Sequence, residues 1–138
     1  MKHKYFAHSI NTKYGKFDSK TEYNRFLCLK NMENKGIISD LKTQVRFEII
    51  PKLIRKQIVH LKTKDKVIDK VEEMAAHYTC DFTYIDHEGK FIVEEIKSKG
   101  TKLARDYPLR RKLIKSLLHK MNEELGKEYY EFNEIVIN

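Results

Sequence analysis

From Glu73 the chain alternates with a period of two. Met74, Ala76, Tyr78, Cys80, Phe82 and Tyr84 fall on one side; Glu73, Ala75, His77, Thr79, Asp81 and Thr83 fall on the other. That is the pattern of a half-buried strand. A second run rich in β-branched and aromatic residues, Lys90 to Lys97, follows the polar link His87-Glu88-Gly89. Gly89 suits the loop position that needs φ > 0, so Tyr78 to Asp86 and Lys90 to Lys97 are predicted to form an antiparallel hairpin with a three-residue loop. If Asp86 pairs with Lys90, Ile85 faces Phe91 and Asp81 faces Glu95. A two-residue loop would set Asp81 against Ile96 instead.

The remaining pattern supplies four further elements. Ser19-Lys20-Thr21-Glu22 fits a capping box and Tyr23, Phe26 and Leu27 open an apolar face, so a first helix starts near Ser19 and ends at Gly36. Gln44 to Ile50 alternates as a strand, Val45, Phe47 and Ile49 against Arg46, Glu48 and Ile50. Pro108 suits the first turn of a second helix, whose stripe is Leu113, Ile114, Leu117, Leu118, Met121 and Leu125, and Tyr129 to Ile137 reads as a last strand after Gly126. Residues 55–72 mix both charges without a clear period and read as a charged connection or arm. The order is helix, strand, hairpin, helix, strand: an α/β or α+β fold with a small mixed sheet flanked by helices.

Length and composition narrow the class. A chain of 138 residues with 41% apolar residues is expected to form one domain over 1–138. Cys28 and Cys80 lie far from any metal-ligand spacing, which points to a reduced, cytoplasmic protein. The N-terminal MKHKYFAHSI has no apolar signal core and no run approaches the ~20 apolar residues of a membrane span. Phosphate-binding glycine loops and zinc motifs are absent from the sequence.

Charge sharpens the picture. The formal net charge is +8, and residues 97–120 hold nine Lys or Arg against the single acid Asp106. A solvated face normally mixes signs, so Lys99, Lys102, Arg105, Arg110, Arg111, Lys112 and Lys115 are candidate phosphate contacts on DNA.

The chemistry gathers on the hairpin. Asp81 opposite Glu95, with Lys97 two residues further on the same face, sets two carboxylates beside an ammonium. Opposed like charges are destabilising, and a divalent cation removes the conflict. Two carboxylates, the Ile96 carbonyl between them and several waters suit Mg²⁺, with Mn²⁺ able to substitute. The same spacing also fits an ordinary cross-strand charge cluster on a solvated surface. His77, on the polar face with Asp81, and Gln44 are accessory candidates, whereas Glu94 falls on the apolar face with Ile92 and Ile96 and is matched to a sheet margin or a lysine partner.

Asp81 followed after thirteen residues by Glu95-Ile96-Lys97 on the second arm of a hairpin resembles the signature of the PD-(D/E)xK (restriction-endonuclease-like) nuclease superfamily. FDSKTEYNRFLCLK, ISDLKTQVRFEIIP, the hairpin itself and RDYPLRRKLI are similar, in that order, to a family of small phage- and prophage-encoded proteins assigned there. Cys80 stands where the superfamily name implies proline, and residues 55–72 look longer and more charged than the corresponding connection. The resemblance implies a restriction-endonuclease-like domain and DNA cleavage leaving 5′-phosphate ends. It also implies a helix glutamate, Glu22 in this chain, approaching the metal directly or through water; the residues themselves equally support Glu22 as a helix cap.

The function expected is thus a Mg²⁺-dependent DNA endonuclease of phage or mobile-element DNA metabolism, with Asp81, Glu95 and Lys97 catalytic and Glu22 in support. A second copy of the chain or a phage-encoded protein would be compatible partners. The rival is a non-catalytic DNA-binding or replication-accessory protein that keeps the fold. An RNA-binding module would need base-stacking aromatics that the strands do not display.

Overall fold

The computed structural model describes residues 9–98 and 106–137. A small hairpin, β1 (Ile10–Thr12) and β2 (Gly15–Phe17), leads into α1 (Lys20–Asn34). Then come β3 (Ser39–Ile50), β4 (Leu53–His60), β5 (Asp65–Glu73), β6 (Ala76–Ile85), β7 (Phe91–Ser98), α2 (Tyr107–Leu125) and β8 (Tyr130–Ile137). The main sheet has the order β3-β6-β7-β8. Its first three strands are antiparallel, and β8 runs parallel to β7, the arrangement that the crossover through α2 requires. The architecture is mixed α/β of the α+β kind, with the elements predicted from the sequence in the predicted order and two hairpins added.

Local chemistry accounts for the helix ends. Ser19 is extended at the N-cap of α1 and its hydroxyl accepts from the Glu22 amide at 3.1 Å, which satisfies one of the amides a helix start leaves open. At the far end of α2, Gly126 adopts φ +79, the left-handed conformation that glycine takes most easily. Buried Asn122 accepts from the amides of Tyr129 and Tyr130 and donates to the Tyr130 carbonyl, tying α2 to the start of β8.

Two apolar clusters sandwich the sheet. Phe26 and Leu29 of α1 pack with Phe17, Ile38, Phe82, Tyr84 and Ile92. Ile114 and Leu118 of α2 pack with Tyr78, Cys80 and Val93 on the other side. Along β7 the faces alternate as expected, Ile92 toward α1 and Val93 toward α2. On β6 they do not. Tyr78 and Cys80 face α2, yet Phe82 and Tyr84, of the same parity, face α1. The single apolar face expected from Met74 to Tyr84 is therefore corrected to two half-faces that change sides at Asp81. Met74 lies outside both, 77% exposed.

The second correction concerns residues 55–72. Most of them form an antiparallel ribbon, β4 paired with β5 from Leu53–Glu73 to His60–Asp65, as a sheet of its own. Nearly every residue in it is exposed, on both faces. Without one dry face the alternation that betrays a strand in sequence does not develop. Among the described residues no helix is long and apolar enough to cross a membrane.

Candidate functional site

The hairpin has the register of a three-residue loop: Ile85 pairs with Phe91 and Phe82 with Glu94. The ladder stops there. One step further Asp81 turns its carboxylate to accept the Ile96 amide at 2.8 Å, so a side chain replaces a backbone partner where the strands part. On the other flank of β6 the pairing passes from Thr43–Phe82 to Val45–Cys80, and the intervening Gln44 takes φ +53. A left-handed glutamine inside a strand costs about 1–2 kcal/mol. Together with the change of faces on β6, it marks a local break in the sheet centred on Asp81. Such breaks re-aim side chains beside functional sites.

The break gathers the carboxylates. Glu95 is 5% exposed, accepts from the Tyr78 hydroxyl at 2.8 Å and lies 3.0 Å from the Lys97 ammonium. Glu22, also 5% exposed, accepts from the Gln44 side-chain amide at 2.6 Å. The strained residue thereby holds the helix glutamate. Lys97 Nζ also lies 4.8 Å from the centre of the Tyr107 ring, whose hydroxyl bonds Glu134.

Electrostatics identify the groups that crowd one another. Burial first, and then the neighbouring Glu95, push the Asp81 carboxyl up to about 8 against the stabilising Ile96 amide. Burial raises Glu95 above the ordinary carboxylate range, opposed by Lys97 and Tyr78. Glu22 rises through burial and Asp18, with a further contribution from Glu95. These acids are thus partly desolvated and within mutual electrostatic reach.

Among the described residues no three His, Cys, Asp or Glu side chains close on one point as a ready-made metal cage. The donor set nevertheless suits Mg²⁺. That ion commonly takes one or two carboxylates and keeps several waters, and a dication would relieve the repulsion that raises Asp81. Asp81, Glu95 and the Ile96 carbonyl would hold it.

The other predicted residues divide. Gln44, Glu22, Asp81, Glu95 and Lys97 are brought together. His77 lines a cleft with Tyr78, Thr79, Glu95, Lys97, Asp106, Tyr107 and Arg110. Its ring bonds Arg46 at 2.9 Å and its carbonyl accepts from Arg110. Arg110 also pairs with Asp106, and Arg111 lies 3.7 Å from Glu134. Both arginines are therefore engaged within the protein. Lys112 and Lys115 are exposed, and Lys115 lines a different cleft with His119 and Glu128. Lys99, Lys102 and Arg105 lie outside the described residues.

Three groups are not legible from sequence reasoning. The alternation shows Tyr78 only as part of an apolar face, although its hydroxyl holds Glu95. Tyr107 beside Lys97 carries no motif. Glu94 has neither a sheet margin nor a lysine: it is fully buried, and Arg25 of α1 grips both of its oxygens at 2.8 Å while Tyr84 donates at 2.7 Å. The one sequence signal for that pair is the arginine one helical turn after Glu22.

The chain matches the family described as "Protein of unknown function (DUF1064)" over residues 2–130, and it belongs to that family. No curated protein and no solved structure matches it.

Proposed function

We propose that this chain is a Mg²⁺-dependent DNA endonuclease of the PD-(D/E)xK type, acting in the cytoplasm of a phage-infected or element-bearing cell. The observation that carries the reading is the break at Asp81. Asp81, Glu95 and Glu22 are crowded there with raised carboxyl pKa values, and Lys97 lies 3.0 Å from Glu95. A sheet that needed only stability would gain nothing from such crowding.

When bound, the metal would supply Lewis-acid polarisation of a scissile phosphate. The chain's own residues supply the rest. Tyr78 and Lys97 fix the Glu95 carboxylate, and Asp81 is fixed by the Ile96 amide. Gln44 holds Glu22 toward the same centre. Lys97, half-buried and seated by Tyr107, orients the attacking water and offsets charge that develops on the phosphate.

The test is incubation with labelled duplex, flap, junction and single-stranded DNA in Mg²⁺ or EDTA. Cleavage is expected with Mg²⁺ alone, lost in both Asp81→Asn and Lys97→Ala. The Asn variant should bind DNA as tightly as wild type or more so, because a negative charge facing phosphate has gone. Wild-type cutting by Asp81→Asn would refute the reading. DNA binding without cleavage on any substrate would favour a non-catalytic DNA-binding protein instead.

A further inference from the structure

The two faces of the β4–β5 ribbon differ in chemistry. One carries the cross-strand pairs Ile54–Val71 and Ile58–Val67, alternating with Lys56–Asp69 and His60–Asp65. Lys56 and Asp69 form an ion pair, and the His60 ring is hydrogen-bonded to Asp65 at 2.8 Å, so both aspartates have partners within the ribbon. The other face carries Arg55–Lys70, Gln57–Ile68 and Val59–Lys66. Its cations are exposed, and Arg55 directly opposes Lys70. Like charges so placed are destabilising. The loop adds Lys62 and Lys64. Among the described residues Lys62, Lys64, Lys66 and Lys70 make no ion pair, whereas Arg55 has only a 3.9 Å approach to Glu72.

Position and shape point the same way. The ribbon feeds directly into β6, whose His77, Tyr78 and Thr79 line the cleft of the candidate site. Asp81 lies five residues beyond Ala76, about 17 Å along the strand. Two-stranded ribbons of this kind fit the major groove of B-DNA, which is ~12 Å wide. An isolated two-stranded hairpin is also marginal in water, so one that stands clear of the main sheet gains from a surface to lie on.

We propose that the β4–β5 ribbon is a second DNA-binding element that lies in the major groove beside the cleavage site. Lys66, Lys70 and the loop lysines Lys62 and Lys64 face phosphates there. A second copy of the chain fits less well. Stacking on the apolar face would bury the Lys56–Asp69 ion pair and the Asp65 carboxylate bonded to His60, and desolvating charged groups is costly. On the other face Glu72 approaches Arg55 alone, so Lys66 and Lys70 are left for an anion from outside the ribbon. The inference rests on DNA being the substrate of the neighbouring site.

The test measures binding to a 20-base-pair duplex in EDTA from roughly 50 to 200 mM salt, wild type against the combined Lys62→Ala, Lys64→Ala, Lys66→Ala and Lys70→Ala variant. The slope of log K against log salt should flatten by about 2–4 units, at ~0.9 per phosphate contact. Affinity near 150 mM should fall about thirtyfold or more. Lys66→Glu with Lys70→Glu should weaken binding further than the two matching alanines, while both variants keep the wild-type circular dichroism spectrum. An unchanged slope overturns the ribbon's role. So does a fall in oligomeric state on Ile58→Ser with Val67→Ser accompanied by an unchanged slope in the lysine variant. Because binding is read without Mg²⁺, the readings separate: a ribbon-dependent slope with no cleavage by wild type removes only the nuclease. Cleavage by wild type with a ribbon-independent slope removes only the ribbon.

Discussion

Asp81→Asn isolates the charge at the break in the sheet, since asparagine keeps the shape and an oxygen for the Ile96 amide. In the metal-free protein, burial and then Glu95 raise this carboxyl from 3.8 to about 8. A folded-state pKa above the unfolded one means that the protonated acid contributes stability fully below pH ~4. That contribution is lost as pH rises through 8. At roughly 1.4 kcal/mol per unit the ceiling is about 6 kcal/mol. Glu95 relaxes part of the same repulsion and solvent reaches the carboxylate, so about 2–3 kcal/mol is the expected yield. Thermal unfolding in EDTA should therefore find the Asn variant more stable than wild type by about 2–3 kcal/mol at pH 9, and by under about 1 kcal/mol at pH 5. At ~3–4 °C per kcal/mol the pH 9 difference is roughly 6–12 °C in Tm. Mg²⁺ at neutral pH should raise the wild-type Tm and leave that of the variant nearly fixed. Parallel Tm-against-pH curves would refute the argument, because they would show that Asp81 ionises as freely in the fold as outside it.

Three further outcomes are expected. Arg25→Ala strands the fully buried Glu94 carboxylate and should cost about 3–5 kcal/mol in denaturant unfolding, whereas Arg25→Met with Glu94→Leu should lose clearly less; equal losses would mean that the charge is not what matters. Phe82→Ala empties the centre of the α1-side cluster, where the ring is fully buried, and should cost about 3–5 kcal/mol by the same measurement. At pH 8 a thiol reagent should label exposed Cys28 at once and Cys80 only on unfolding, since burial raises the Cys80 thiol to about 12; two fast thiols in the native protein would contradict the packing of β6.

Short-range chemistry is legible in the order of residues alone. Ser19 caps its helix, Gly126 ends the second one, and the loop at Gly89 sets a register that brings Asp81 and Glu95 to the same end of the hairpin. Each depends on residues within a few positions of one another, or on a period that one dry face imposes. The β4–β5 ribbon, wet on both faces, leaves no such period and so does not read as a pair of strands.

What only the tertiary structure decided is how the segments meet. The switch of faces at Asp81 and the left-handed Gln44 opposite it are properties of three strands together, and neither residue type announces them. Arg25 and Glu94 are 69 positions apart, and their pairing arises because α1 is laid across β7 by the apolar cluster around Phe26 and Phe82. The candidate site therefore has two origins. Its residue types follow from a local hairpin pattern, whereas its crowding, its raised carboxyl pKa and its supporting hydrogen bonds arise from packing that removes water from groups distant in sequence. Desolvation and Coulomb interactions depend on distance in space, and sequence encodes that distance only within a single element.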